Sequence, residues 1–199
     1  MNHWGFDGRV HRGELVVHED AVRPVLAVFG AAFDDRFPIR RMRAMSHYDG
    51  DDRRAMADDN TSAFNCRRVT GDEDHLSRHS YGDAVDINPL ENPYVDRSGT
   101  VHPPGSRAAL DREPPAEGML VAGDAVTRAI EAAGWEWGGA WSPPTTSTSR
   151  RTAPEPRGPR RRLPSIRTLC DRAPGPVRTD NGIRVGGTGR PGHRDDQWW

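Results

Sequence analysis

The sequence predicts an α+β fold, with a small, mainly antiparallel sheet flanked by helices. Apolar residues recur at helical spacing from about Asp20 to Phe33, and they do so again after Asp124 until Gly134. The remaining apolar runs are short and extended in character, as in strands of a small sheet. These runs are 37–42, 64–69, 84–87 and 135–141.

The two helices and the segments around them can be described in chain order. Pro24 lies in the first turn of the first helix, where proline is tolerated. The apolar face of that helix is predicted to comprise Val22, Val25, Leu26, Phe29, Ala32 and Phe33, and that of the second helix Val126, Ile130 and Ala133. The polar stretch 46–62 is predicted to be a surface loop that borders a functional site.

Composition divides the chain into a folded domain over 1–141 and a disordered tail over 142–199. The first part holds 16 arginines against 24 acidic residues, whereas the second holds 12 against 5. The tail also contains nine prolines and seven glycines, with few apolar residues to offset the entropy of ordering. Lysine is absent, which is typical of a GC-rich coding sequence.

Several classes of protein are disfavoured by the same data. The best apolar run, 21–33, is short and contains Arg23 and Pro24, so no membrane span is expected. The first ten residues lack the apolar run of a secretory signal, which would leave the chain cytoplasmic. A nucleic-acid-binding role for the arginine-rich segment 157–162 remains a weak alternative, because that segment lacks interleaved aromatic residues.

The segment Ser77–Asp86 is the most informative about chemistry. The imidazole of His79 and the carboxylate of Asp86 are both competent zinc ligands. Gly82 permits a tight turn between them, and Ala84 is small enough for close strand packing. The spacing alone is more typical of a surface histidine near a buried aspartate at the end of a strand.

The string SRHSYGDAVD (77–86) matches the pattern SxHxxGxAxD of zinc D-alanyl-D-alanine carboxypeptidases and L-alanyl-D-glutamate endopeptidases. Other segments resemble the same LAS group of peptidoglycan-trimming metallopeptidases, in the expected order. They are TSAFNCR (61–67), DINPLENPYV (86–95), the GML…GD run (118–124) and GWEWGGAW (134–141). The resemblance therefore covers most of 1–141.

The resemblance implies a zinc peptidase with its metal site at the edge of the sheet. His79 and Asp86 would bind Zn²⁺, Arg67 would stabilise the oxyanion of the tetrahedral intermediate, and Ser77 would contact substrate or support the metal site. The implied partners are peptidoglycan stem peptides. The family implies a location in the cell envelope or outside the cell, and we expect a monomer.

The third zinc ligand and the general base are missing from the expected place. In the family both come from an Asp/Glu-x-x-His motif, commonly Asp-Tyr-Gln-His-Phe, just after the Trp-Gly-Gly strand. Here the corresponding residues, 142–150, contain no histidine, aspartate or glutamate. The other histidines are weak substitutes in unfamiliar contexts, and His75 is the nearest in sequence to His79. They are His3, His11, His18, His47, His75, His102 and His193.

A shifted reading frame accounts for the missing motif. Residues 144–150 can be encoded as CCG ACT ACC AGC ACT TCG AGG. Read from the last base of the first codon, these bases encode Asp-Tyr-Gln-His-Phe-Glu. We therefore expect a frameshift between about Trp141 and Pro144, which makes the domain incomplete, the tail out of frame and the activity impaired. The alternative is a non-catalytic protein that retains a peptide-binding cleft.

The tryptophans at 135, 137 and 141 allow two interpretations. They could form a platform for stacking on sugars, but their alternating spacing beside Gly138 and Gly139 favours core and pocket wall.

Overall fold

The structure is a computed structural model that describes residues 1–70, 72–140 and 148–151. It confirms the α+β class, because short helices pack against small sheets that are mostly antiparallel. The strands are β1 (Asn2–Trp4), β2 (Val10–Arg12), β3 (Arg41–Met42), β4 (Asn60–Thr61), β5 (Arg68–Val69), β6 (Asp72–Leu76), β7 (Ala84–Asp86), β8 (Tyr94–Val95), β9 (Val101–His102), β10 (Trp135–Trp137) and β11 (Thr148–Arg151). The α-helices are α1 (Val22–Asp34), α2 (Asp52–Ala57) and α3 (Ala125–Ala132).

A three-stranded antiparallel sheet in the order β10-β11-β7 lies at the centre. Strand β7 pairs with β11 so that Thr148 stands opposite Asp86 and Ser149 opposite Val85. An antiparallel bridge between Ser62 and Asp86 ties the chain after β4 to β7. The remaining pairs are the hairpins β1–β2, β5–β6 and β8–β9, and the parallel pair β3–β4.

The hydrophobic core lies where α1 and α3 pack together over one face of the central sheet. Helix α1 contributes Val25, Val28, Phe29 and Ala32, while α3 contributes Val126 and Ile130, the sheet contributes Val85, Trp135 and Trp137, and Ile87 follows directly after β7. The two described tryptophans of the Trp135–Trp137 strand are thus core residues, as favoured from the sequence. Trp141 lies outside the described residues.

Two predicted core positions of α1 are wrong. Val22 is 41% exposed and Leu26 is 54% exposed, whereas Val28, which was not predicted, is buried. The helix turns its buried stripe toward α3, so positions 25, 28, 29 and 32 face inward, at the i, i+3, i+4, i+7 spacing of one helix face.

The prediction of a loop over 46–62 is also wrong. Asp51 accepts a hydrogen bond from the backbone N–H of Arg54 at 3.1 Å and so caps α2, whose Ala55 is buried. Ala55 joins Met45 and Tyr48 in a small second core. A short helix with one buried residue has little hydrophobic periodicity, which is why the pattern did not reveal it.

Some strands are shorter than the extended runs predicted from the sequence. Of the predicted strand 37–42, only Arg41–Met42 form a strand, β3. The predicted strand 135–141 ends at Trp137, and Gly138–Ala140 form a 3-10 turn. Residues 148–151, within the segment predicted to be a disordered tail, form β11. The rest of 142–199 lies outside the described residues.

Two buried asparagines hold the loop after β7 in place. The Asn88 side chain donates to the carbonyls of Pro38 and Gly118, and that of Asn92 also donates to Gly118. The Asn92 carbonyl oxygen accepts from the backbone N–H of Leu120 at 2.8 Å. Two of the segments that carry the resemblance, 86–95 and 118–124, are therefore joined by hydrogen bonds that fix the end of β7.

Within the described residues, no helix combines the length and the apolar character needed to cross a bilayer.

Candidate functional site

A single 3-10 turn, Arg78–Tyr81, presents His79 between β6 and β7. The Ser77 hydroxyl accepts a hydrogen bond from the backbone N–H of His79 at 3.3 Å and so caps the turn. Gly82 ends the turn with φ +68°, and a Cβ atom there would lie 2.6 Å from the backbone nitrogen of His18. The turn therefore requires glycine at this position for two independent reasons.

The structure brings His79 and Asp86 together. Nε2 of His79 lies 3.2 Å from Oδ2 of Asp86, and the two residues are 3% and 7% exposed. On the other side of the ring, Nδ1 of His79 lies 2.6 Å from the backbone oxygen of Ala63. Since a carbonyl can only accept, Nδ1 carries the proton and Nε2 is directed at Asp86.

This arrangement fits two of the ligands of a zinc ion. Donors bound tetrahedrally at about 2.0–2.2 Å are about 3.3–3.5 Å apart, close to the separation found here. A histidine that donates its second ring N–H to a backbone carbonyl is the usual form of a metal ligand. However, the described residues contain no group of three or more histidine, cysteine, aspartate or glutamate side chains placed to hold a metal ion.

The electrostatics of the pair are dominated by burial and by the carboxylate. Burial, the largest single effect, lowers the pKa of His79, but the charge and hydrogen bond of Asp86 more than offset it and the pKa is raised. A divalent cation between the two side chains would replace the proton that they otherwise share.

The side chain of Arg67, which lies between β4 and β5, extends to the His79–Asp86 pair. Its Nη2 atom lies 3.9 Å from Oδ2 of Asp86, and its Nε atom lies 3.1 Å from Oδ2 of Asp52. Its backbone is tied to the histidine turn, since its N–H donates to the Ser80 hydroxyl at 3.0 Å and its carbonyl accepts from the N–H of Ser77 at 3.0 Å. Arg67, His79 and Asp86 therefore form one locally rigid cluster.

Sequence reasoning missed Asp52 and Asn65. Asp52 is in the first turn of α2, and its Oδ1 atom accepts a hydrogen bond from the Asn65 side chain at 2.9 Å. Asn65 is 2% exposed, and its backbone N–H donates to the His79 carbonyl at 3.1 Å. The sequence signal for Asp52 was the helix-capping pair Asp51-Asp52, inside a stretch interpreted as a loop, and Asn65 lies within TSAFNCR (61–67), where no role was assigned to it.

The hairpin β8–β9 lies near this cluster. Burial and then the charge of Asp96 raise the pKa of Tyr94, and the charges of Arg67 and Asp86 also act on its hydroxyl. The Tyr94 ring stacks on His102 with 6.0 Å between centroids, and Nε2 of His102 lies 2.9 Å from Asp96. The contact between His102 and Asp96 therefore stabilises the hairpin.

The other described histidines make local contacts elsewhere. His75, the nearest in sequence, lies 3.0 Å from the carboxylate of Asp72 with its side chain 75% exposed. His11 contacts Asp7, His47 contacts Glu14, and His18 caps the 3-10 turn before α1. None of the described histidines joins His79 and Asp86 in a group of three donors. His193 lies outside the described residues.

Comparison with known families gives a match over the segment that contains His79 and Asp86. Residues 70–146 match a family model described as D-alanyl-D-alanine carboxypeptidase. The resemblance to these peptidases is confirmed over residues 70–146. No curated protein and no solved structure gives a significant match.

The carboxypeptidase-like segment contains Ser77, His79 and Asp86 but begins after Arg67 and Asp52. The contacts described above connect these two earlier residues to it.

Proposed function

We propose that this chain is a zinc-dependent peptidase of the D-alanyl-D-alanine carboxypeptidase type, directed at peptidoglycan stem peptides, whose metal site is incomplete. The observation that carries the proposal is the buried His79–Asp86 pair at the spacing of two zinc ligands, inside the carboxypeptidase-like segment. The family suggests a site of action outside the cytoplasm.

The chain's own residues supply part of the machinery. His79 and Asp86 would hold the ion, and the Ala63 carbonyl orients the imidazole. A bound zinc ion supplies Lewis acidity toward the scissile carbonyl and lowers the pKa of a water molecule. Arg67 is a positive charge beside Asp86, suited to stabilising a developing oxyanion. Ser77 supports the histidine turn through its hydroxyl, which favours a supporting role over substrate contact.

The frameshift hypothesis gains support from the register of the central sheet. In the alternative frame, the histidine codon takes two of its three bases from codon 148. Thr148 stands directly opposite Asp86 in the antiparallel ladder, and residues at such positions share one face of the sheet. A histidine at this position would face the same side as Asp86.

Sequencing the gene decides the frame. The hypothesis requires the bases of codons 144–150 to encode Asp-Tyr-Gln-His-Phe-Glu in the alternative frame. Synonymous codons that encode another sequence in that frame would exclude the hypothesis.

The competing function is a non-catalytic protein that keeps the peptide cleft. The lack of a three-donor group among the described residues favours it. The paired measurement below distinguishes an incomplete enzyme from such a protein.

The functional test compares the 199-residue chain with a variant that restores the motif. Its substitutions are Thr145→Asp, Thr146→Tyr, Ser147→Gln, Thr148→His, Ser149→Phe and Arg150→Glu. We expect the natural chain to bind zinc weakly and to hydrolyse D-alanine-containing and L-alanyl-D-glutamate peptides slowly. Loss of a general base alone typically costs about 10²–10⁴-fold in rate.

Metal content by mass spectrometry and peptide hydrolysis are measured on both chains. The restored chain should gain both properties. Stoichiometric zinc and equal hydrolysis in the natural chain would show that another residue supplies the third ligand.

A further inference from the structure

We propose that Asp52 is a positioning residue that holds the Arg67 guanidinium beside Asp86 and limits its approach to that carboxylate. This inference deepens the proposed function and rests on it, since the site that Arg67 serves is the His79–Asp86 pair.

Distances show that Arg67 is shared unequally between two carboxylates. Its Nε atom is 3.1 Å from Asp52 Oδ2, whereas its Nη2 atom is 3.9 Å from Asp86 Oδ2. The Nε–H group does not meet Asp52 with hydrogen-bond geometry, and Nη1 donates a hydrogen bond to the Arg68 carbonyl at 3.2 Å. Between the two carboxylates, the shorter charge contact is with Asp52, so the main ion pair of the guanidinium is with α2 and not with the metal-ligand pair. Partial burial, with the Arg67 side chain 21% exposed and that of Asp52 19% exposed, strengthens this attraction relative to water.

Asp52 is itself fixed. Its Oδ1 atom accepts from the buried Asn65 side chain at 2.9 Å, and the Asn65 N–H donates to the His79 carbonyl at 3.1 Å. Helix α2 and the 3-10 turn that carries His79 are therefore connected through Asn65. This connection orients the Asp52 carboxylate toward Arg67.

Removing the Asp52 charge should redirect Arg67. Without that anion, Asp86 is the nearest carboxylate to the guanidinium among the described residues, and a closer Arg67–Asp86 ion pair would compete with a cation for the same oxygen. Supporting residues around metal ligands typically change metal affinity by about 10–100-fold. We expect Asp52→Asn to weaken zinc binding by about tenfold.

The experiment uses the full chain and two readouts. The first is the guanidinium ¹³C and ¹⁵N NMR signal of Arg67 without metal, assigned from its loss in Arg67→Ala. The second is the zinc dissociation constant, with His79→Ala as the background. The variants are Asp52→Asn, Asp52→Glu, Arg67→Ala and the double variant. The matched control is Asp49→Asn, because Asp49 precedes the same helix, is 85% exposed at its side chain and contacts Arg54 instead.

The expected result has three parts. Asp52→Asn shifts the Arg67 signal and weakens zinc binding, Asp52→Glu restores both, and Asp49→Asn changes neither. In the Arg67→Ala background, Asp52→Asn has no further effect on zinc, which a general loss of folding could not produce.

Two results would overturn the inference: an unchanged Arg67 signal in Asp52→Asn, or equal loss of zinc affinity with and without Arg67. If the natural chain binds no more zinc than His79→Ala, the proposed function fails. The NMR signal still decides the role of Asp52 in that case.

Discussion

At the scale of single residues, His79 and Asp86 can be predicted from the sequence as a candidate pair, but the residues that position them cannot. His79 and Asp86 lie seven positions apart in one motif, so the sequence displays them together. Asp52 lies far earlier in the chain, and only the fold brings it to 3.1 Å from Arg67. A contact between segments that are distant in sequence leaves no periodic pattern to recognise.

Gly82 illustrates a motif residue whose role is structural. Gly82→Ala should destabilise the protein by about 2–3 kcal/mol, because φ is positive and the added Cβ would meet the backbone of His18. Gly99→Ala is the matched control: its φ is +81°, yet nothing lies within 4 Å of its Cβ position, so only the backbone cost of about 1 kcal/mol applies. Urea unfolding measures both, and equal losses would contradict this reading.

Glu91 should make stability depend on pH. Burial, followed by the hydrogen bond and charge of Asp59, raises the pKa of Glu91 to about 7. A carboxyl group whose folded pKa exceeds the unfolded value stabilises the protein at low pH, and this contribution is lost as the pH rises through about 7. The free energy of unfolding should therefore fall between about pH 4.5 and pH 7.5, by about 1–2 kcal/mol after allowance for solvent exposure.

Glu91→Gln should remove most of this slope, because the amide can still donate a hydrogen bond to Asp59 without ionising. Glu117→Gln, on the exposed loop before Gly118, serves as the control and should leave the slope in place. Chemical unfolding at several pH values tests this, and an identical pH profile for Glu91→Gln and the natural chain would contradict it.

At the scale of elements, the second helix was predicted well because its boundaries are encoded locally. Asp124 accepts hydrogen bonds from the N–H groups of Val121 at 2.7 Å and Thr127 at 2.6 Å, and Gly134 follows the last turn with φ +72°. Helix α2 lacked such a clear pattern, since its six residues bury only Ala55. A long amphipathic helix shows a hydrophobic period in its sequence, whereas a short helix is stabilised mainly by the residues that pack against it.

The capping role of Asp124 gives a prediction at this scale. Asp124→Ala should lower the free energy of unfolding by about 1–2 kcal/mol, because two backbone N–H groups lose their acceptor. Asp124→Asn keeps a side-chain oxygen and should recover most of the loss. Thermal and urea unfolding distinguish the two, and an Asp124→Asn variant as unstable as Asp124→Ala would argue against capping.

At the scale of the whole molecule, the sequence predicts the fold class but not the pairing of the strands in the central sheet. The change in composition after Trp141 is real, yet β11 at 148–151 completes the central sheet between β10 and β7. Strand pairing is set by partners distant in sequence, so a polar segment such as TSRR can occupy the middle of a sheet. Composition alone could not place it there.

The central proposal is that His79 and Asp86 are two ligands of a zinc site whose third ligand would stand at position 148. The most direct test is the zinc dissociation constant of Thr148→His in the otherwise natural chain, measured beside Ser149→His. Position 148 is opposite Asp86 and position 149 is opposite Val85, so histidines introduced there lie on opposite faces of the sheet. We predict that Thr148→His binds zinc at least about tenfold more tightly than the natural chain, a gain of about 1.4 kcal/mol, while Ser149→His does not. Equal affinity in all three chains, or a gain confined to Ser149→His, would contradict the account.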